Sequence, residues 1–171
     1  MVNSERDPNV TRESPVMLEL LRLDKGSAVA VVGHPIHVVM VHFPIAFVIA
    51  TLGVDFFYWW SGDPFWIRVG IWSTGFAFLT GAAASVVGTA ELLLVPGIRL
   101  LEASWSHAVA AMTLVAISGA NWGLHLIYPE SILPHGLALS ALAAAMAGFA
   151  GWHGGKLVFD HGVGILISSK R

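Results

Sequence analysis

The segment from Ile36 to Trp60 reads IHVVMVHFPIAFVIATLGVDFFYWW. It decides the fold because it is a long, mostly apolar run without Lys or Arg and with one acidic residue, Asp55. A helix needs about 20 apolar residues to cross the roughly 30 Å of bilayer hydrocarbon. Three more segments of this kind follow: Trp66–Val95, Trp105–Tyr128 and Leu133–Lys156. The 171-residue chain is 56% hydrophobic and 12% charged, about half the charged fraction of soluble domains. The sequence therefore predicts an integral membrane protein.

Short connections rich in turn-forming residues separate the four segments. They read SGDP at 61–64, VPGIRLLEAS at 95–104 and YPESILP at 128–134. Because short connections place consecutive helices antiparallel, we predict an all-α, up-down four-helix bundle over residues 33–165. The N-terminal tail, 1–32, is expected to carry a short amphipathic helix, PVMLELLRL, on the membrane surface, and 166–171 form a C-terminal tail.

Lys and Arg residues fall almost entirely on one side of this topology. With four spans, both tails and the second connection share a side, which collects Arg6, Arg12, Arg22, Lys25, Arg99, Lys156, Lys170 and Arg171. Arg68 alone lies on the other side. The positive-inside rule predicts that the termini are cytoplasmic. The sequence contains no basic patch with interleaved aromatic residues, so it does not predict nucleic-acid binding. The absence of cysteine excludes thiolate ligands.

The topology also sorts the histidines. Six of the eight belong to the positively charged end, where Glu91 and Arg99 also fall: His34, His37, His42, His107, His153 and His161. The other end has Asp55, His125 and His135, and we expect both of these histidines at the membrane interface. Ionisable groups within membrane segments are costly and usually functional. We therefore predict a functional site at the histidine-rich end.

Helix periodicity indicates which residues share a face. Small residues recur along the second span and end at Glu91, and the third span carries a polar face. That face comprises His107, Ala111, Leu114, Ser118, Asn121 and His125; the fourth span offers the small stripe Ala141, Ala144, Gly148, Gly151 and Gly155. Such stripes ordinarily indicate close helix contact in lipid, and beside histidines they would leave room for a flat cofactor. His37 and His42 lie about 140° apart around a helix, so one helix face cannot present both to a single ion. Pro35 suits a first helical turn, so we expect the first helix to start near His34.

Several of these motifs resemble one bacterial membrane family. They are HPIHVVMVHFPIA at 34–46, the acid at Glu91, Arg99 with His107, and GGKLVFDHGVGI at 154–165. The chain is similar, from about Gly33 to Ile165, to the family catalogued as domain of unknown function 2231. The resemblance implies a four-span domain of a bacterial inner membrane that is sometimes associated with Rieske or cytochrome c modules and is suspected of binding haem.

Three functions remain open on these observations. The first is an electron-transfer subunit, more an accessory than a catalyst, that holds haem b between His42 and His107, with Arg99 and Lys156 pairing with the propionates. The second is a site for an iron, zinc or copper ion built from His37, His42, His107, His161 and Glu91. The third is a structural or regulatory subunit whose histidines only form hydrogen bonds between helices.

Overall fold

The computed structural model describes residues 23–165, and helices account for most of this range. They are α1 (Ile36–Met40), α2 (His42–Ser61), α3 (Pro64–Leu94), α4 (Pro96–Arg99), α5 (Glu102–Ile127) and α6 (Leu137–Phe159). The predicted N-terminal surface helix starts outside the described residues, and Arg6, Arg12, Arg22, Lys170 and Arg171 also lie outside them. Within residues 23–165, four stretches are long and apolar enough to cross a membrane: Ile36–Ser61, Pro64–Leu94, Glu102–Ile127 and Pro129–Phe159.

The four spans form an up-down bundle, which confirms the predicted fold. Helix α2 packs against α3 and α6, and α5 packs against the same two helices, so α2 and α5 face each other across the bundle. One cluster of buried apolar side chains draws on all four spans: Val48, Ala77, Leu114, Ala143 and Ala147. Large apolar side chains such as Phe43, Trp72, Val109 and Phe149 are exposed on the outside, as a lipid-facing surface requires.

The connection between α2 and α3 shows why the chain reverses where it does. Gly62 follows the last residue of α2 with a φ of 66°, a left-handed conformation that glycine adopts without steric cost. Asp63 then caps α3, because its side chain accepts a hydrogen bond of 2.8 Å from the backbone N–H of Phe65. Pro64 occupies the first helical position, where its missing N–H is not needed.

The first span begins later than the sequence predicts. His34 and Pro35 lie in a two-residue strand that pairs antiparallel with Ala30–Val31, so the helix starts at Ile36 and not near His34. The helix is interrupted at Val41, between α1 and α2. Pro44 accounts for this interruption, since it has no N–H to donate to the carbonyl of Met40.

The small face of the second span and the polar face of the third are buried in the bundle, whereas the predicted small stripe of the fourth span lies beside its buried face and contributes Gly151 and Gly155 to the lining of a cavity. Helix α5 buries Leu114, Ser118, Asn121 and His125. Helix α6 instead buries a stripe one residue away from the predicted one, which comprises Ser140, Ala143, Ala147, Ala150 and Leu157. The reason is hydrogen bonding: Ser140 bonds Asp55 of α2 and Asn121 of α5. These bonds keep the side of α6 that carries Ser140 inside the bundle.

Candidate functional site

A cavity of about 490 Å³ lies among the spans at the histidine-rich end. His37, His42, His107 and Glu91 all line it, as do small residues of the second and fourth spans. Those small residues include Gly81, Ala84, Gly88, Ala150, Gly151 and Gly154. A volume of this size is within the range of small-molecule and cofactor sites. The predicted gathering of histidines at one end therefore coincides with space for a ligand.

Two imidazole rings, those of His37 and His107, lie close together in the cavity wall. Their ring centres are 6.4 Å apart and their planes are nearly perpendicular, at 80°. Nδ1 of His37 lies 2.9 Å from the carbonyl oxygen of Ala84, and Nδ1 of His107 lies 3.0 Å from that of Ala150. A carbonyl can only accept, so each Nδ1 carries the hydrogen. In the neutral form of each ring, Nε2 then keeps its lone pair.

Glycines of the neighbouring helices make room for both rings. A Cβ atom placed on Gly88 of α3 would lie 2.6 Å from Cε1 of His37. A Cβ atom on Gly154 of α6 would lie 3.1 Å from Cε1 of His107. The absence of a side chain at these two positions thus lets the imidazole rings lie close to the helix backbones, where the Nδ1 atom of each ring reaches a carbonyl oxygen.

We expect Gly88→Ala to destabilise the protein by about 1–3 kcal/mol, because the added methyl group overlaps the ring of His37. The matched control is Gly155→Ala, which also faces the cavity but meets no atom within 4 Å. Alanine is the better helix former, so the control is expected to be neutral or slightly stabilising. Equilibrium unfolding in mixed micelles measures both changes. Equal stability of the two variants would contradict the assigned role of Gly88.

Glu91 ties the chain segment before α1 to the cavity. One carboxylate oxygen, Oε1, accepts hydrogen bonds from the hydroxyl of Ser27 and the N–H of Val29, and Oε2 accepts one of 2.9 Å from the N–H of Ala28. The N–H of Gly164 donates to the carbonyl of Lys25 at 2.9 Å. The segments on either side of the four spans therefore meet at this end of the bundle, and Ser27 and Gly164 both line the cavity.

The remaining predicted site residues are more peripheral. His42 lines the cavity but is exposed, and its Nδ1 lies 3.2 Å from the carbonyl of Val39 in its own span. Arg99 and Lys156 are exposed and His161 is half-buried, and these three lie outside the cavity lining. Within residues 23–165, no three His, Asp or Glu side chains are grouped closely enough to hold a metal ion. The roles of these residues as ligands or propionate partners stay predictions.

A second polar cluster, at the opposite end of the bundle, was not predicted as a site. His125 was expected at the interface, but it is fully buried, at 0% exposure, and its Nε2 lies 2.9 Å from Oδ1 of Asp55. Ser140 donates to Oδ2 of Asp55 at 2.5 Å, and the amide nitrogen of Asn121 donates to Ser140 at 2.8 Å. The sequence did contain a signal for this cluster, because Asp55 and His125 were assigned to the same end of the bundle on two different spans.

Comparison with known proteins agrees with the prediction of a membrane protein. Residues 33–166 match the family described as a predicted membrane protein, DUF2231, which confirms the resemblance drawn from the sequence motifs. No curated protein and no solved structure matches the chain. The match covers all four spans and both paired histidines, His37 and His107, so the chain belongs to the DUF2231 family of membrane proteins.

Proposed function

We propose that this protein is a membrane electron-transfer subunit that holds haem b between His37 and His107. The observation that carries the proposal is the pair of imidazoles in the cavity wall, each oriented by a backbone carbonyl at Nδ1, so that Nε2 is the nitrogen left for a ligand. Metal-bound histidines characteristically donate their other ring N–H to a carbonyl or carboxylate, which fixes the tautomer. The site thus carries the orienting contacts that ligation needs.

The separation of the rings supports a shared metal. Two imidazoles on opposite sides of one ion have ring centres about 6 Å apart, since each metal–nitrogen bond is about 2 Å and each nitrogen lies about 1 Å from its ring centre. The separation between His37 and His107 is 6.4 Å. Their rings come from two spans that face each other across the bundle, which leaves the space between α3 and α6 for a flat ligand.

The number of ligands favours haem over a bare ion. Protein sites for zinc or non-haem iron draw three or more side chains to the metal, and the described residues offer no such group. The haem macrocycle itself supplies four nitrogen ligands to the iron, so the protein needs to provide only one or two. When bound, haem supplies a one-electron couple whose potential depends on those ligands and on the polarity around it.

The proposal extends to the partners and the orientation of the protein. Arg99 and Lys156 lie at the end that carries the cavity, where they could pair with propionates that reach the surface. Lys25 belongs to the same end, whereas Arg68 lies near the start of α3 at the other. We place the termini in the cytoplasm of a bacterium on this asymmetry, and we propose cytochrome c or Rieske modules as redox partners.

The test is an optical spectrum of the detergent-purified protein before and after reduction, with metal analysis of the same sample. We expect a Soret band and a reduced-minus-oxidised spectrum typical of a six-coordinate haem b, with about one iron per chain. A colourless protein with stoichiometric iron, zinc or copper would replace haem by a metal ion. A colourless protein without metal after expression with haem available would favour a structural subunit.

A further inference from the structure

The cluster of Asp55, His125, Asn121 and Ser140 closes into a ring of hydrogen bonds that joins α2, α5 and α6. All four side chains are at most 2% exposed. Asn121 donates to Ser140, Ser140 donates to Asp55, Asp55 meets His125, and Nδ1 of His125 returns to the backbone carbonyl of Asn121 at 2.9 Å. Glycines of α3 and of the turn before α6, Gly70 and Gly136, adjoin the imidazole ring of His125.

The directions of these hydrogen bonds fix the number of protons in the ring. The carbonyl of Asn121 can only accept, so Nδ1 of His125 carries a hydrogen. Ser140 receives the amide hydrogen of Asn121, and its own hydroxyl hydrogen therefore goes to Oδ2 of Asp55. One hydrogen remains between Oδ1 of Asp55 and Nε2 of His125, whichever of the two atoms bears it. The pair thus shares one proton and has no net charge.

A small cavity adjoins this ring on the side of the larger one. It has a volume of about 10 Å³, which is about one water-sized sphere. Both Asn121 and Ser140 line it, together with the hydroxyl-bearing residues Thr51, Thr74 and Ser118. The side-chain oxygen of Asn121, Oδ1, is buried and has no hydrogen-bond partner among residues 23–165. A buried amide oxygen without a donor is costly, so this atom favours a bound water.

The hydroxyl groups around the small cavity can receive the second hydrogen of that water. Thr51, Thr74 and Ser118 each donate to a backbone carbonyl four residues earlier in their own helix, at 2.7, 2.7 and 2.9 Å. Their oxygen lone pairs remain able to accept. A water molecule on Oδ1 of Asn121 would therefore have the two or more polar partners that a buried water needs.

The two cavities share part of their walls. Val48, Ala77 and Ser118 line both the small cavity and the cavity of His37 and His107. Ser140 lines the small cavity and also donates to Asp55. Because Asn121 and Ser140 both line this small cavity, a water bound to Oδ1 of Asn121 would lie beside Ser140. One hydroxyl group and one water molecule would then separate the Asp55–His125 pair from the boundary with the larger cavity.

We propose that the Asp55–His125 pair is a proton-exchange site within the membrane, and that Ser140 and a water on Asn121 connect it to the larger cavity. Rotation of the carboxyl group of Asp55 brings the shared proton to Ser140. That proton passes to the oxygen of Ser140 while the hydroxyl proton of Ser140 passes to the oxygen of the water, which becomes hydronium. The hydronium returns a different one of its three protons by the reverse sequence, so that one proton enters for each that leaves and the pair regains zero net charge.

Hydrogen–deuterium exchange followed by infrared spectroscopy tests this proposal in the full-length protein reconstituted into liposomes. The infrared bands of the Asp55–His125 pair are identified as those that disappear in the Asp55→Asn variant. This change is isosteric, so hydrogen bonds to both His125 and Ser140 can be retained. We expect these bands to shift within minutes of transfer to D2O. In Ser140→Ala the shift is expected to be at least about tenfold slower, because exchange then requires local opening of the bundle.

Controls separate the relay from general loosening. Ser73→Ala removes another buried hydroxyl, which bonds Thr51 outside the ring, and it should exchange at the wild-type rate. If Ser140→Ala does not fold, Asn121→Leu takes its place, because it removes the acceptor for the water and leaves the bond between Ser140 and Asp55. The proposal is overturned if the wild-type bands exchange as slowly as the amides of α5, or if the relay variant matches the wild type. Neither result depends on whether the larger cavity binds haem.

Discussion

Alanine at His37 or at His107 is expected to lower the haem content of the purified protein to less than about a tenth of the wild-type value. The reason is that the proposed site would lose one of its two histidine ligands, and even removal of an orienting partner commonly weakens metal binding 10–100-fold. Haem content is measured by the pyridine haemochrome assay relative to protein concentration. Added imidazole should restore part of the spectrum, because it can occupy the space left by the missing side chain.

The matched control for these variants is His42→Ala. His42 lines the same cavity, but its ring is exposed and contacts the carbonyl of Val39 in its own span, so we expect the haem content to be retained. Loss of haem in His42→Ala with retention in His37→Ala would restore the ligand pair expected from the sequence. Retention in all three variants would contradict haem ligation by this cluster altogether.

Leucine at His125 is expected to lower the free energy of unfolding by about 3–5 kcal/mol, the loss typical of removing one partner of a buried ionic pair. Asp55 would remain 1% exposed, with Ser140 as its hydrogen-bond donor but without the imidazole that shares its proton. The control is His153→Leu, since His153 is half-buried and its Nδ1 contacts the carbonyl of Phe149 in its own helix. Unfolding in mixed micelles measures both. A loss below 1 kcal/mol for His125→Leu would show that the pair does not stabilise the fold.

A double-mutant cycle separates the pair from general damage to the core. Asp55→Leu alone is expected to be as severe as His125→Leu, because it leaves the imidazole and the hydroxyl of Ser140 without their acceptor. The double variant removes both ionisable groups from the membrane interior. Its loss of unfolding free energy should therefore be smaller than the sum of the two single losses by about 2 kcal/mol or more. Strict additivity would argue against direct coupling.

The sequence was sufficient for the architecture of the bundle because bilayer thickness imposes a length on each helix. The four apolar runs were long enough to be unambiguous, and the turn residues around Gly62 and Asp63 marked a reversal that the structure confirms. The start of the first span was less certain. His34 was assigned near a helix start, although tertiary pairing with Val31 places it in a short strand.

The site could be placed at one end of the bundle from the sequence, but its ligand pair could not. The spacing of His37 and His42 showed that both could not face one ion. Which of them faces inward depends on the interruption at Val41 and on the room beside Gly88, and neither is visible in a periodic pattern. The buried face of α6 could not be identified from its small residues for a related reason: alanine and glycine occur all around this helix, and the buried side is the one on which Ser140 bonds Asp55 and Asn121.

The association of the chain segments before α1 and after α6 has a consequence for the proposed electron transfer. Glu91 holds residues 27–29, and Lys25 pairs with Gly164, so both segments leave the bundle beside the cavity of His37 and His107. A redox domain joined by a linker to either segment would be confined near this opening. A short flexible tether gives an effective concentration in the millimolar range. Electron exchange with a tethered domain would then need little affinity between the two surfaces.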